Sequence, residues 1–202
     1  MRTWGRWALG VVVAAVVTAV PLAYYRATYD HAKRLRVVAP GKLYRCGQLN
    51  AGGFAEAFDR FGIKTVVNLQ EESRDPLLPE HWQGKPAVRE SEVCKAHGVR
   101  YVVLDGGVLE YPGQDPGSRP KVIDDFLAVM DDPANHPVLI HCKAGLHRTG
   151  LLTAIYRMEY EGRTAAQAVE ELRANGFGTF AATDGNAYLD RFILRFERGV
   201  RR

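Results

Sequence analysis

Cysteine is scarce. Three thiols, Cys46, Cys94 and Cys142, are spread over 202 residues. So odd and sparse a set is not a disulfide framework, and without a CxxC pair the chain lacks the usual spacing of a zinc site. At least one thiol is expected to stay free. Internal repeats and low-complexity tracts are also missing, which excludes fibrous and disordered classes. Neither sign of charge dominates, with 27 Lys and Arg against 23 Asp and Glu for a net +4. That mild balance favours anionic partners such as phosphorylated groups or a membrane surface. No nucleic-acid partner is expected. With 47% hydrophobic and 25% charged residues, the chain can bury the core of one domain and leave something over.

One long stretch carries no charge. Ala8–Tyr25 (ALGVVVAAVVTAVPLAYY) would span about 27 Å as a helix, close to the hydrocarbon thickness of a bilayer. Trp4 and Trp7 at one end and Tyr24 and Tyr25 at the other suit the two membrane interfaces, and Pro21 is tolerable in a spanning helix. Arg2 and Arg6 before an apolar run also fit a secretory signal peptide. The run is long for that, however, and no clean A-x-A cleavage site follows. Residues 1–28 are therefore expected to be a single-pass membrane anchor touching the bilayer through residues 8–25, with a signal peptide as the alternative. Arg2 and Arg6 flank one side, and Arg26, Lys33, Arg34 and Arg36 the other, so the positive-inside count assigns no orientation. Residues 29–39 read as a basic linker. The Pro40-Gly41 turn signal then opens a catalytic domain over residues 40–198.

Within that domain strands and helices alternate. Strands are expected at Leu43–Arg45, Thr65–Leu69, Arg100–Leu104 and Val138–His141. Helices are expected at Phe54–Phe61, Arg89–His97, from Pro120 to about Met130, at Thr149–Tyr160, after a Thr164/Gln167 capping box up to Gly176, and at Asn186–Phe196. Asp105–Arg119 is a long loop rich in Gly and Pro, of a kind that is often functional. The alternation implies an α/β sandwich around a mostly parallel sheet.

The chemistry concentrates in PVLIHCKAGLHRTGLL, Pro137–Leu152. An apolar strand delivers His141 and Cys142, and Arg148, Thr149 and Gly150 lead into a helix. The backbone N–H groups of Lys143, Ala144, Gly145, Leu146, His147 and Arg148 can curl into a nest for phosphate oxygens. The helix aims its positive end at the same point. Gly145 permits a backbone conformation that a side chain resists, and Arg148 offers a planar fork for two phosphate oxygens. The same positive field favours a thiolate at Cys142.

The segment resembles the HC-x5-R signature of the protein tyrosine and dual-specificity phosphatases. More narrowly, HCKAGLHRTG is similar to the loop of the atypical dual-specificity phosphatases of plants and fungi and of related bacterial proteins. PGKLYRCGQLN (Pro40–Asn50), GIKTVVNLQEE (Gly62–Glu72) and DPANHPVLIHC (Asp132–Cys142) extend the likeness over about Val38–Phe196. Two departures stand out. Leu146 occupies a position that is usually basic in the plant and fungal loops, which weakens the transfer of highly charged inositol substrates. Gln70 stands where relatives often carry Arg, which leaves a second phosphate contact there in doubt.

The resemblance implies a phosphatase-like three-layer sandwich and a two-step reaction through a phosphocysteine at Cys142, with no metal and no cofactor. It implies a carboxylic acid on the Asp105–Arg119 loop that protonates the leaving group. Asp105 begins a D-G-G turn after a strand, Glu110 lies at the family's usual distance from the nucleophile, and Asp115 precedes Pro116 in the middle of the loop. Asp105 is placed first, with Glu110 and Asp115 as alternatives. His141 is expected to order the loop and tune the thiolate, Thr149 to donate to the thiolate or cap the helix, and Lys143 and His147 to form a basic rim. Arg45 is either structural or near the site. The substrate is expected to be a phosphorylated protein (phosphotyrosine, phosphoserine or phosphothreonine) or a small phosphorylated metabolite. The alternatives are an inositol phosphate or pyrophosphate phosphatase, a membrane-tethered phosphate-binding pseudophosphatase, and, less favoured by the R-T-G that follows the loop, a rhodanese-type sulfurtransferase.

Overall fold

The two alternating faces of the apolar strands dictate the architecture. In a strand, successive side chains point to opposite sides. Val66 and Leu139 join a core beneath α2 (Ala51–Phe61) and α3 (Glu90–Ala96), while their neighbours Val67 and Ile140 join the core on the other side. That second core holds Phe126 and Leu127 of α4 (Lys121–Asp131), Leu151, Leu152 and Ile155 of α5 (Arg148–Glu161), Leu172 of α6 (Ala165–Ala174) and Ile193 of α7 (Leu189–Leu194). The result is the expected three-layer sandwich. This computed structural model describes residues 3–70, 77–79, 86–104, 119–178 and 189–201.

The central sheet runs β1 (Arg36–Ala39), β2 (Leu43–Cys46), β7 (Val138–His141), β3 (Thr65–Asn68), β6 (Arg100–Val103). Only the β1–β2 pair is antiparallel. Between β3 and α3, β4 (Leu77–Pro79) and β5 (Pro86–Arg89) form a separate antiparallel ribbon. The parallel registers align Cys46, His141, Asn68 and Val103, so four strands end together. In open α/β sheets, the carboxyl ends of parallel strands are where sites form.

Several element ends carry visible causes. Asn50 caps α2 by accepting from the Gly53 N–H at 2.7 Å, and Gly62 ends it in the left-handed region. Thr164 and Gln167 form the expected capping box. Helix α2 begins three residues before the expected Phe54; Gly52 and Gly53 have weak helix propensity and hide its first turn in the sequence. The reason for glycine is tertiary: a Cβ on Gly53 would lie 2.1 Å from the His31 carbonyl oxygen.

The N-terminal boundary differs from expectation. Helix α1 runs without interruption from Thr3 to Ala32, through Pro21. Trp4–Tyr25 is long and apolar enough to cross a membrane, and none of it is buried against the domain. The stretch 29–39 is not a free linker. Its first residues finish α1, and Arg36–Ala39 pairs with β2 through a Pro40-Gly41 turn. Pro40-Gly41 closes this hairpin instead of opening the domain, and Val38 and Ala39 already belong to the core.

Replacing Gly53 with Ala is expected to push α2 away from the end of α1. Limited trypsin digestion of the full chain should then cut after Lys33 and Arg34 about ten-fold faster, as for a segment that opens locally. An unchanged cleavage rate would show that the contact does not hold the two helices together.

Candidate active site

Strand β7 ends at His141, and α5 begins at Arg148. The six residues between them form the candidate phosphate loop at the carboxyl edge of the sheet. Gly145 has a φ of 70°, and a Cβ there would sit 2.6 Å from the Cys46 carbonyl oxygen and the Gly47 nitrogen. Both the left-handed conformation and the close approach require glycine. This turn aims the Gly145 N–H at Cys142, whose Sγ accepts from it at 3.3 Å. Cys142 and Leu146 are buried, Ala144 and His147 are half-buried, and Lys143 is exposed.

The loop's carbonyls are tied down on the outside. The Gln48 N–H donates to the Lys143 oxygen at 3.2 Å. Arg45 Nη2 donates to the Gly145 oxygen at 2.8 Å in a buried contact. Burial, with Arg36 nearby, pushes the Arg45 guanidinium down to about 10, so it stays charged at neutral pH. Arg45 is thus a structural arginine of the loop. Arg148 donates from Nη1 to the Leu69 carbonyl at 2.9 Å, which sets the direction of its side chain at the first residue of α5.

Behind the loop lies a polar chain that the sequence did not announce. Gln70 Nε2 donates to Gln48 Oε1, and Gln48 Nε2 donates to Glu90 Oε2 at 2.8 Å. Glu90 Oε1 lies 2.6 Å from His141 Nε2, with both side chains fully buried. A carboxylate that accepts at both oxygens places the proton of His141 on Nε2. Phe54 meets the imidazole edge-on at a centroid distance of 5.3 Å. Gln70, in doubt as a phosphate contact, serves here as the outer link of this chain. Glu90 was missed because an acid in the first turn of a helix reads as ordinary dipole compensation. Gln48 lay within the YRCGQLN stretch but carried no chemical signal of its own.

Two expectations about side chains change. His147 is not a rim cation: burial first, then Arg148 and Arg34, holds its imidazole below the usual range, and its ring stacks edge-on against Phe177. Thr149 is not the helix cap. It lies inside α5, where His147 occupies the cap position, and its buried hydroxyl has no hydrogen-bond partner among the described residues. An orphaned hydroxyl at the start of the helix suits the expected donation toward the sulfur or a bound phosphate. Asp105, Glu110 and Asp115 all lie outside the described residues. Among the described residues, no group of three His, Cys, Asp or Glu side chains is placed to hold a metal ion.

Comparison with known proteins fits this geometry. Residues 24–187 match the family model described as a DSP-PTPase phosphatase fused to NAD+ kinase. The dual specificity protein phosphatase TpbA of Pseudomonas aeruginosa is 31% identical over 176 residues, spanning 86% of this chain and 69% of TpbA. The chain belongs to the cysteine-based dual-specificity phosphatases. A second relative of this phosphatase, the inositol diphosphatase DSP4 of Arabidopsis thaliana, is 57% identical over 66 residues, covering 33% of the chain and 32% of DSP4. Among solved structures, a cysteine-to-serine variant of P. aeruginosa TpbA in complex with phosphotyrosine superimposes with a TM-score of 0.57 at 25% identity. That match covers 82% of this phosphatase and 92% of the solved chain.

Glu90→Gln keeps the shape but turns one acceptor of the buried chain into a donor. Turnover of an aryl phosphate is expected to fall about ten-fold with little change in KM, because the group acts through His141 on an already bound substrate. Steady-state kinetics on wild type and variant decide it, and an unchanged kcat would remove Glu90 from the account.

Proposed function

We propose that the protein hydrolyses phosphate monoesters through a phosphocysteine at Cys142. The observation that carries this reading is the inward-turned amide of Gly145 on the Cys142 sulfur, at the mouth of helix α5. An arrangement that donates to sulfur there also donates to phosphate oxygens placed over it. In the first step the Cys142 thiolate forms the S–P bond as the ester P–O bond breaks. The loop amides and Arg148 hold the three equatorial oxygens, and a carboxylic acid gives its proton to the leaving oxygen. Asp105 is the first candidate for that acid, with Glu110 and Asp115 as alternatives. In the second step water attacks phosphorus, the same carboxylate takes a proton from it, and the thiolate leaves with Thr149 donating to the sulfur. His141, held by Glu90, orders the loop from behind.

The reading favours phosphorylated proteins as substrates, supported by the extent of the likeness to TpbA and by the apolar, buried Leu146 in the loop. A second reading keeps the chemistry and exchanges the substrate for an inositol phosphate or pyrophosphate. It is favoured by the 57% identity to DSP4 over 66 residues. We further propose that α1 anchors the enzyme in a membrane through residues 8–25. Trp4–Tyr25 exposes its whole apolar surface, far more than a soluble domain leaves uncovered. The catalytic unit would then extend from Arg36 to about residue 198.

The test is phosphate release by the reduced, full-length protein in detergent with EDTA. The panel holds an aryl phosphate, phosphotyrosine and phosphoserine peptides, and inositol phosphates and pyrophosphates. Turnover is expected without metal and should fall by at least about 10⁴-fold in Cys142→Ser. The best substrate chooses between the two readings. Wild-type activity in Cys142→Ser would end the phosphocysteine mechanism.

A further inference from the structure

The loop's third carbonyl is held from an unexpected direction. Lys143 and Gly145 are tied by Gln48 and Arg45, which flank the end of β2. The Ala144 oxygen lies between them and accepts from Arg34 Nη1 at 2.8 Å. Arg34 belongs to the turn that leaves α1, 110 positions earlier in the chain. Three successive carbonyls are thus fastened on the outer side of the loop, which leaves the amides free to face inward.

The backbone of Arg34 is itself unusual. Its φ of 52° makes it the one non-glycine residue in the left-handed region among the described residues. That conformation is disfavoured for any side chain with a Cβ and persists only where the surroundings enforce it. Here they do so from both sides. The Lys33 carbonyl accepts from the Gly47 N–H at 2.7 Å. One residue before Ala32, His31 places Nδ1 3.2 Å from Asn50 Oδ1 and Nε2 2.7 Å from Glu56 Oε2. Its carbonyl lies against Gly53. Tyr29 backs the turn, with Lys33 Nζ 4.9 Å and Arg34 Cζ 5.8 Å from its ring centre.

We propose that Arg34 is a positioning residue of the phosphate loop, so that the loop takes its anion-binding shape only while the end of α1 is docked on α2. This rests on the phosphate-loop reading above and adds a dependence which that reading does not require. The guanidinium does two things there. It orients the peptide unit that follows Ala144, whose amide belongs to Gly145, the donor to Cys142. It also adds positive charge beside His147 and Arg148, and so contributes, after burial and Arg148, to lowering the His147 imidazole. Arg34 acts through the loop backbone, at the Ala144 carbonyl.

The probe is inorganic phosphate, titrated calorimetrically into the full-length protein in detergent under reducing conditions, with thermal unfolding measured alongside. Arg34→Asn removes the clamp while supplying a residue that accepts the left-handed conformation readily. It is expected to melt no lower than wild type yet bind phosphate about ten-fold more weakly. Arg34→Lys keeps one donor without the fork and should fall between the two. Should Arg34→Asn fail to fold, Arg34→Lys decides: weaker phosphate binding by the folded protein supports the proposal. Affinities within two-fold of wild type for a folded variant overturn it. A wild-type protein that binds no phosphate overturns both this inference and the loop reading, whereas weak variants of a binding wild type leave the loop reading intact.

Discussion

A short backbone segment that must turn its amides toward one point sets the terms for the whole domain. Peptide N–H groups and carbonyls alternate along the chain, so a concave row of donors exists only if the intervening oxygens find partners on the convex side. The three oxygens of Lys143, Ala144 and Gly145 find them in Gln48, Arg34 and Arg45. Those partners come from the turn after α1 and from the end of β2. Strand β2 lies beside β7, and its carboxyl end meets the loop. The sheet order follows from the same need: β7, which delivers Cys142, is flanked by β2 on one side and β3 on the other. Leu69, just past β3, contributes the carbonyl that holds Arg148.

How much of this was legible depended on whether the cause was local. The strands at Thr65 and Val138 and the helix behind the Thr164/Gln167 box announced themselves through periodicity and capping chemistry, which act within a few residues. The phosphate loop was legible for the same reason: strand, nucleophile, glycine, arginine and helix follow one another in sequence. The failures share the opposite origin. The first turn of α2 is glycine-rich because the His31 backbone presses on it from elsewhere. Arg36–Ala39 looked like linker because its basic flank hid a strand that is defined only by pairing with β2. Glu90 shows no trait in sequence apart from an acid at a helix start. Its role comes from meeting His141 across 51 positions. Arg34 looked like a juxtamembrane charge until its φ and its partner were visible together.

These missed residues are all supports, and their common feature is chemical economy around the loop. The buried carboxyl group of Glu90 is satisfied at both oxygens, so it adds a fixed orientation to His141 without leaving an acceptor unsatisfied in the core. Arg45 is buried but keeps its charge near the sulfur and the loop carbonyl. The apolar stretch of α1 is exposed, while the turn that follows the helix reaches the loop through Arg34. If residues 8–25 sit in a bilayer, the loop and the membrane surface are joined by the few helical residues between Tyr25 and Arg34, at about 1.5 Å of rise each.

The central claim is that the sulfur of Cys142 takes up the phosphoryl group. The most direct measurement is a rapid acid quench of wild-type protein during turnover of an aryl phosphate, followed by mass spectrometry of its proteolytic peptides. The account predicts one phosphoryl group on Cys142 and none on Cys46 or Cys94, whose side chains are fully buried. Steady product formation with an unmodified Cys142, or with the phosphoryl group on another residue, would contradict it.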